Sequence, residues 1–233
     1  MVELDADVVV LDLDDTLYLE REFARSGFRA LERHVQVAGF ADHCLALLDS
    51  GRRGDIFNRA LAHFRREDDW PIADLVSIYR GHSPDIALAR DADAFLHKVA
   101  GLTTALVSDG PHRTQAAKVT ALGLSERIDR IVLTGALGEG FGKPHPRAFE
   151  EIMTWSDRPA DRHVYIADNA AKDFVSPNRL GWQTIQILRP KRIHDNSPPS
   201  ADHAAQAKIA SFDDVVVINP AACDRKPAPA GAR

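Results

Sequence analysis

The chain has 233 residues, of which 45% are hydrophobic and 27% charged, and a formal net charge of -5. That length accommodates one generous domain or a core domain with a smaller insert, and the acidic balance provides no basic field for a phosphodiester backbone, which excludes nucleic acid as a main partner but not a small phosphorylated metabolite. Two cysteines exclude a disulfide framework and a cysteine-based zinc site, with Cys44 in the apolar run HCLALL reading as core.

In chain order, DVVVLDL (7–13) is a continuous β-branched run ending in acids, the pattern of a strand buried on both faces of a parallel sheet. Residues 18–89 contain no strand signal. They carry helical stretches at 20–39, 41–50, 55–67 and 72–81, separated by Gly39, by Gly51 to Gly54, and by Trp70-Pro71. A helix over 89–101 then leads into TTALVS (103–108). Strand and helix alternate from there: 112–124 helical, RIVLTGA (130–136) strand, 145–155 helical, HVYIAD (163–168) strand, 170–182 helical, TIQIL (184–188) strand. This alternation predicts an α/β fold with a doubly wound, Rossmann-like parallel sheet and an inserted all-helical domain. The expected division is a core of 1–17 and 90–219, a helical cap of 18–89, and a disordered tail of 220–233. Within the core, 207–218 is expected to add a last short strand and helix. The tail is rich in Pro and Ala and poor in large apolar residues.

Chemistry-bearing residues cluster where strands end, the edge at which open α/β sheets bind ligands. Asp12 and Asp14 of DLDDT are close enough to require a compensating cation, and hard oxygen donors suit Mg²⁺; the alternative is an acidic cluster that caps the next helix. Ser108 and Asp109 of SDG precede a helix whose free N–H groups would cradle phosphate oxygens, or else form an ordinary helix start. Lys143 stands between Gly142 and Pro144, placed either to neutralise a phosphate or as a solvated surface lysine. Asp168 and Asp173 of ADNAAKD follow a fourth strand, with Asp173 expected in the first turn of the next helix.

In this order DLDDT, VSDG, the lysine of GKPHP and ADNAAKD resemble the four motifs of the haloacid dehalogenase-like hydrolases, and the helical insert resembles that superfamily's helical-cap subclass. One departure is Ala167, where the family commonly has Gly before the acid. The resemblance implies a phosphatase. Asp12 would attack phosphorus and form an aspartyl-phosphate, with Asp14 as acid and base and Thr16 supporting the loop. Mg²⁺ would sit on the Asp12 carboxylate, the Asp14 backbone carbonyl and Asp168, with Asp173 behind them. Ser108, Asp109 and Lys143 would surround the phosphoryl group. Carbon–halogen cleavage would also use the first Asp but needs neither metal nor a second acid, so Asp14 and Asp168 favour phosphorus.

Substrate contacts beyond phosphate are expected from Glu20, Arg80, His82 and His112, with Arg21, Arg25 and Arg113 as further candidates. The segments YRGHSPDI and YIADNAAKDFVSPNRLGW are similar to small family members, some associated with surface-sugar biosynthesis. A sugar phosphate is therefore the favoured substrate, ahead of a nucleoside 5'-monophosphate. Phosphomutase, dehalogenase and catalytically silent binding remain alternatives. The start lacks a basic region followed by an apolar stretch, and no apolar window approaches the ~20 residues of a membrane span, so the expectation is a cytoplasmic monomer or homodimer without a membrane partner.

Overall fold

A computed structural model describes residues 1–194 and 197–218. The chain opens with β1 (Val2–Leu4) and β2 (Val8–Leu11), then leaves the sheet for α1 (Glu20–Val35), α2 (Phe40–Asp49), α3 (Ile56–Phe64) and α4 (Ile72–Gly81). It returns through α5 (Arg90–Lys98) to β3 (Thr103–Ser108) and continues with α6 (His112–Ala121), β4 (Arg130–Leu133), α7 (Arg147–Ser156) and β5 (His163–Ala167). The last elements are α8 (Val175–Leu180), β6 (Gln183–Ile187), β7 (Ala207–Ile209) and β8 (Val215–Val217). Six strands form one parallel sheet in the order β4-β3-β2-β5-β6-β7. This is the doubly wound α/β fold with an all-helical insertion.

The unbroken apolar run of β2 follows from burial on both sides. Side chains alternate across a strand, so Val9 and Leu11 join Leu106, Ile166 and Ile185 on one face. Val8 and Val10 join Ala105, Val107 and Tyr165 on the other. Phe95 of α5 and Val119 of α6 cover the first face, and Phe149 and Ile152 of α7 the second. From β2 the chain winds outward through β3 and β4, then crosses back to place β5 on the opposite side of β2. Loops leaving β2 and β5 therefore diverge and open a crevice at the carboxyl edge.

The insert has its own core, centred on Phe28, Leu31, Phe40, Cys44, Leu61 and Leu75. Phe23 of α1 instead packs into the sheet's core and ties the two together. A glycine inside α1 costs roughly 1 kcal/mol of helix propensity. Gly27 is needed because a Cβ there would lie 2.5 Å from the Tyr79 ring of α4.

Three segments differ from the sequence expectation. The helix expected over 170–182 is confined to Val175–Leu180. Before it, the Asn169 side chain accepts from Ala171 N (3.0 Å) and Asp173 Oδ2 accepts from Asn169 N (2.8 Å), a local turn that competes with helix. Asp173 thus lies in a turn ahead of the helix rather than in its first turn. The strand expected to Ala136 stops at Leu133, and a 3-10 turn covers Thr134–Ala136. At the carboxyl end, 207–218 forms two short strands flanking a 3-10 turn, and β8 pairs in parallel with β1 in a separate two-stranded sheet. Asp91 secures this end to the core: its Oδ2 accepts from Ser211 Oγ and Phe212 N (2.9 Å each) and from Nη1 of the buried Arg189 (3.1 Å), whose Nε donates to Thr16 O (2.7 Å). The tail expected to be disordered, 220–233, lies outside the described residues. Among those described, no helix is long and apolar enough to cross a membrane.

Candidate active site

Asp12 is the first residue beyond β2, and its backbone N–H donates to Ile166 O (3.0 Å), continuing the pairing with β5. Its side chain therefore emerges at the sheet's carboxyl edge, yet it is 95% buried, at 5% exposure. Lys143 Nζ, wholly enclosed, donates to Asp12 Oδ1 (2.7 Å) and to Tyr165 OH (3.0 Å). The same ammonium lies 2.7 Å from Asp173 Oδ1, an ion pair by distance without hydrogen-bond alignment. Asp168, one residue beyond β5, completes a buried group in which Asp12, Asp168 and Asp173 each offer an oxygen within 4.8 Å of the others.

Three buried carboxylates face one fully buried ammonium, and the protonation of Asp12 and Asp168 reflects that imbalance. Burial pushes Asp12 up to about 7 against the pull of Lys143. Burial, reinforced by the charges of Asp173 and Asp12, pushes Asp168 up to about 9. Lys143 goes the other way: burial opposes its charge, but Asp12 and Asp173 hold its pKa well above the ordinary lysine value.

Asp14 points away from this group. Its Oδ1 accepts from Lys118 Nζ (2.7 Å) and from the Tyr18 hydroxyl, and its Oδ2 from Gln115 Nε2 (2.8 Å). Burial alone would raise Asp14, but Lys118 and these donors hold it below the usual carboxylate range. Gln115 Nε2 also donates to Ser108 Oγ (2.6 Å), linking the first and second loops.

Asp109 is a loop tie. Oδ1 accepts from Thr134 Oγ1 (2.7 Å) and Lys143 N (3.1 Å), and Oδ2 from Lys172 Nζ (3.0 Å). Burial of Asp109 is outweighed by Lys143 and Lys172, which keep it below the usual range.

These side chains border a cavity of about 100 Å³. Asp12, Asp14, Ser108, Asp109 and Asp168 line it together with Glu20 from α1. Lys143 and Asp173 stand behind Asp12 rather than on the cavity surface. Arg80, His82 and His112 are not on its wall. His82 is turned into the hinge: Nδ1 donates to Tyr79 O (2.6 Å), so Nε2 accepts from Ser26 Oγ (3.0 Å), which in turn accepts from Asp85 N (2.8 Å). Arg80 and His112 are exposed, and the Arg80 carbonyl accepts from Thr114 Oγ1 (3.1 Å).

Sequence reasoning passed over Asp15, Asn169, Lys172 and His194, which also border the cavity. Asp15, with φ of 50°, accepts from Glu20 N (2.9 Å) and Ile193 N (2.7 Å). It thereby fixes the start of α1 against the segment after β6. Lys172 sits inside ADNAAKD and was discernible as a second cation beside Lys143. Lys118 and Gln115 left a fainter signal, polar residues on the buried face of α6.

Gly135 was missed too. A Cβ there would stand 2.3 Å from Gly110 O and 2.8 Å from His112 N, so the 108–112 loop rests directly on its backbone. Gly135→Ala is expected to lower kcat/KM about 100-fold by displacing Ser108 and to cost roughly 1–3 kcal/mol by overpacking. Kinetics with an aryl phosphate and thermal unfolding measure both; wild-type values in each would contradict this close approach.

The fold and this carboxylate cluster define a Rossmann-like α/β protein whose buried acids gather at the switch point of a parallel sheet. The chain belongs to the haloacid dehalogenase-like hydrolases, whose family model matches residues 6–174. It is 25% identical over 202 residues to glyceraldehyde 3-phosphate phosphatase of Methanocaldococcus jannaschii, covering 78% of this chain and 85% of that one. It is 24% identical over 228 residues to phosphoserine phosphatase of Thermus thermophilus, covering 81% and 91%. The fold is shared with the magnesium-bound hydrolase YfnB of Bacillus subtilis, with a TM-score of 0.64, 17% identity, and coverage of 89% of this chain and 96% of that one.

Proposed function

We propose that this chain is a Mg²⁺-dependent phosphatase that hydrolyses a small phosphomonoester, with a sugar phosphate as the favoured class, through an aspartyl-phosphate on Asp12. The observation that carries this reading is the buried Asp12 carboxylate, held by Lys143 at a polar cavity of about 100 Å³. That volume is far below the ~300 Å³ of a typical whole-ligand pocket. It suits a phosphoryl group whose ester substituent extends outward, toward the helical insert acting as a cap. The phosphatase names of the two relatives agree with this chemistry.

In this reading an Asp12 oxygen attacks phosphorus as the bond to the leaving oxygen breaks, and the leaving oxygen takes the electron pair and a proton from Asp14. Asp14 is then the carboxylate that Lys118 stabilises. As water attacks phosphorus, Asp14 takes a proton from that water and becomes the acid again, and the bond from phosphorus to Asp12 breaks, freeing the Asp12 carboxylate and inorganic phosphate. Ser108 and the nearby Lys172 hold the phosphoryl oxygens. Lys143 keeps Asp12 ionised and aligned from behind.

The residues present fit a divalent cation. Asp12, Asp168 and Asp173 supply converging hard oxygens, and an acid pushed up to about 9 marks a place short of positive charge. Asp12 and Asp168 would hold the ion with the Asp14 backbone carbonyl, and Asp173 would support them. The Asp14 carboxylate, engaged with Lys118, stands outside this donor set. When bound, the cation supplies the charge that keeps both acids ionised and stabilises the phosphoryl oxygens.

Phosphate release from an aryl phosphate and from a panel of sugar phosphates is expected with Mg²⁺ present. EDTA should abolish it and excess Mg²⁺ restore it. Undiminished turnover in EDTA would overturn the metal assignment; no release from any phosphomonoester would overturn the phosphatase reading itself.

A further inference from the structure

A second cavity, of about 430 Å³, is lined by chain neighbours of residues that border the first. Its boundary is drawn from Arg21 of α1, from Asp49 and Arg53 around the turn after α2, and from Lys191 and Arg192 after β6. The two cavities are lined by adjacent residues of the same two segments. Glu20 and His194 face the catalytic side, while their chain neighbours Arg21 and Ile193 face the larger groove. Asp15 joins these two segments by accepting from both Glu20 N and Ile193 N.

The charge in this groove is one-sided. Among the described lining residues, four cationic side chains face a single carboxylate, Asp49. Two of the four are already engaged. Arg21 makes a two-pronged contact with Asp49 (2.7 and 2.7 Å), and Arg53 donates to Leu48 O (2.9 Å) and across the groove to Ile193 O (2.8 Å). Lys191 and Arg192 form no ion pair among the described residues. Lys191 is exposed and held in the left-handed region at φ 66°. Arg192 donates to Arg189 O (3.2 Å), and its buried Nε has no hydrogen-bond partner. A buried donor left unmade costs free energy unless a ligand supplies the acceptor.

We propose that this groove binds a second anionic group of the substrate, a phosphate or carboxylate remote from the ester that is cleaved. The inference rests on the phosphatase reading and narrows it to phosphomonoesters that carry a second anion. Lys191 and Arg192 are the specificity residues, with Arg53 holding the insert against the segment that bears them. Neither touches the reacting atoms, so their effect falls on KM.

The test compares matched substrates, 3-phosphoglycerate against glycerol 3-phosphate and fructose 1,6-bisphosphate against fructose 6-phosphate. In each pair the first member carries the additional anion. The wild-type enzyme is expected to favour it in kcat/KM for at least one pair. In Lys191→Gln/Arg192→Gln that preference should fall about tenfold, through KM, as expected for lost charge-assisted contacts. If the double variant misfolds by thermal unfolding, Lys191→Glu, at an exposed position, replaces it and should lower the same ratio. Absence of any preference, or a ratio unchanged in the variant, overturns the inference. So does activation of the singly anionic substrates by added sulfate without a wild-type preference, because the groove would then take a free anion. Aryl phosphate hydrolysis with a flat ratio defeats only this inference, whereas no hydrolysis of any ester defeats the phosphatase reading beneath it.

Discussion

Asp12→Asn is expected to reduce aryl phosphate hydrolysis by at least about 10⁴-fold, the scale of losing a covalent nucleophile. The amide keeps the shape of the side chain but cannot form the acyl phosphate. Its folding behaviour separates chemistry from structure. Burial raises Asp12 to about 7 in the cation-free protein, well above the usual carboxylate range. A carboxyl raised in the folded state contributes stability that is fully present below the unfolded pKa and is lost as pH rises through the folded one. Above pH 7 the wild-type protein therefore carries the cost of a buried, crowded carboxylate, and the variant does not. Without divalent cation at pH 8, Asp12→Asn should unfold at or above the wild-type temperature. Near-normal turnover in this variant would remove Asp12 from the role of nucleophile. A large drop in unfolding temperature would show that its pairing with Lys143 outweighs its burial.

The parts of the site that could be read from sequence are those fixed by strand ends. In a parallel sheet buried on both faces, the residue just past a run such as VVVL or HVYIA must emerge at the carboxyl edge. Asp12 and Asp168 are placed by that rule, and Ser108, the last residue of β3, reaches the same edge. Lys143 is fixed less directly, through its own N–H to Asp109 and through Tyr165 across the sheet. The insert was legible as helices but not in its contacts. Which residue of YRGHSP meets the cavity depends on how α4 packs on Gly27, and that packing turns His82 toward Ser26 instead. The turn at 169–173 was hidden because AAKDF has ordinary helix composition, while the deciding interaction is one side chain, Asn169, bonding its own backbone. The β1–β8 pair joins three-residue strands from opposite ends of the described chain, too short for any periodicity to show.

Lys143→Met is expected to reveal what holds the acidic cluster together in the absence of metal. Methionine preserves the length of the stem while removing the ammonium that sits 2.7 Å from both Asp12 and Asp173. Breaking a buried ion pair by removing one partner costs about 3–5 kcal/mol, because the remaining charge is left uncompensated. Without the ammonium that holds them down, the pKa values of Asp12 and Asp168 rise further, and these two groups relieve part of the cost by taking up protons. Because raised carboxyl groups lose stability as pH rises, the deficit relative to wild type should be larger at pH 8 than at pH 6. Mg²⁺ acts in the opposite direction. With the competing ammonium gone, Asp12, Asp168 and Asp173 should attract the cation more strongly, and a ligand that binds only the folded state stabilises it in proportion to the logarithm of its saturation. The rise in unfolding temperature on adding Mg²⁺ should therefore exceed that of the wild-type protein, even though hydrolysis falls by about 10³-fold with the loss of charge behind the nucleophile. An equal Mg²⁺ response in both proteins would mean that Lys143 and the cation do not share these carboxylates. The metal would then have to be sought on donors other than the cluster at the ends of β2 and β5.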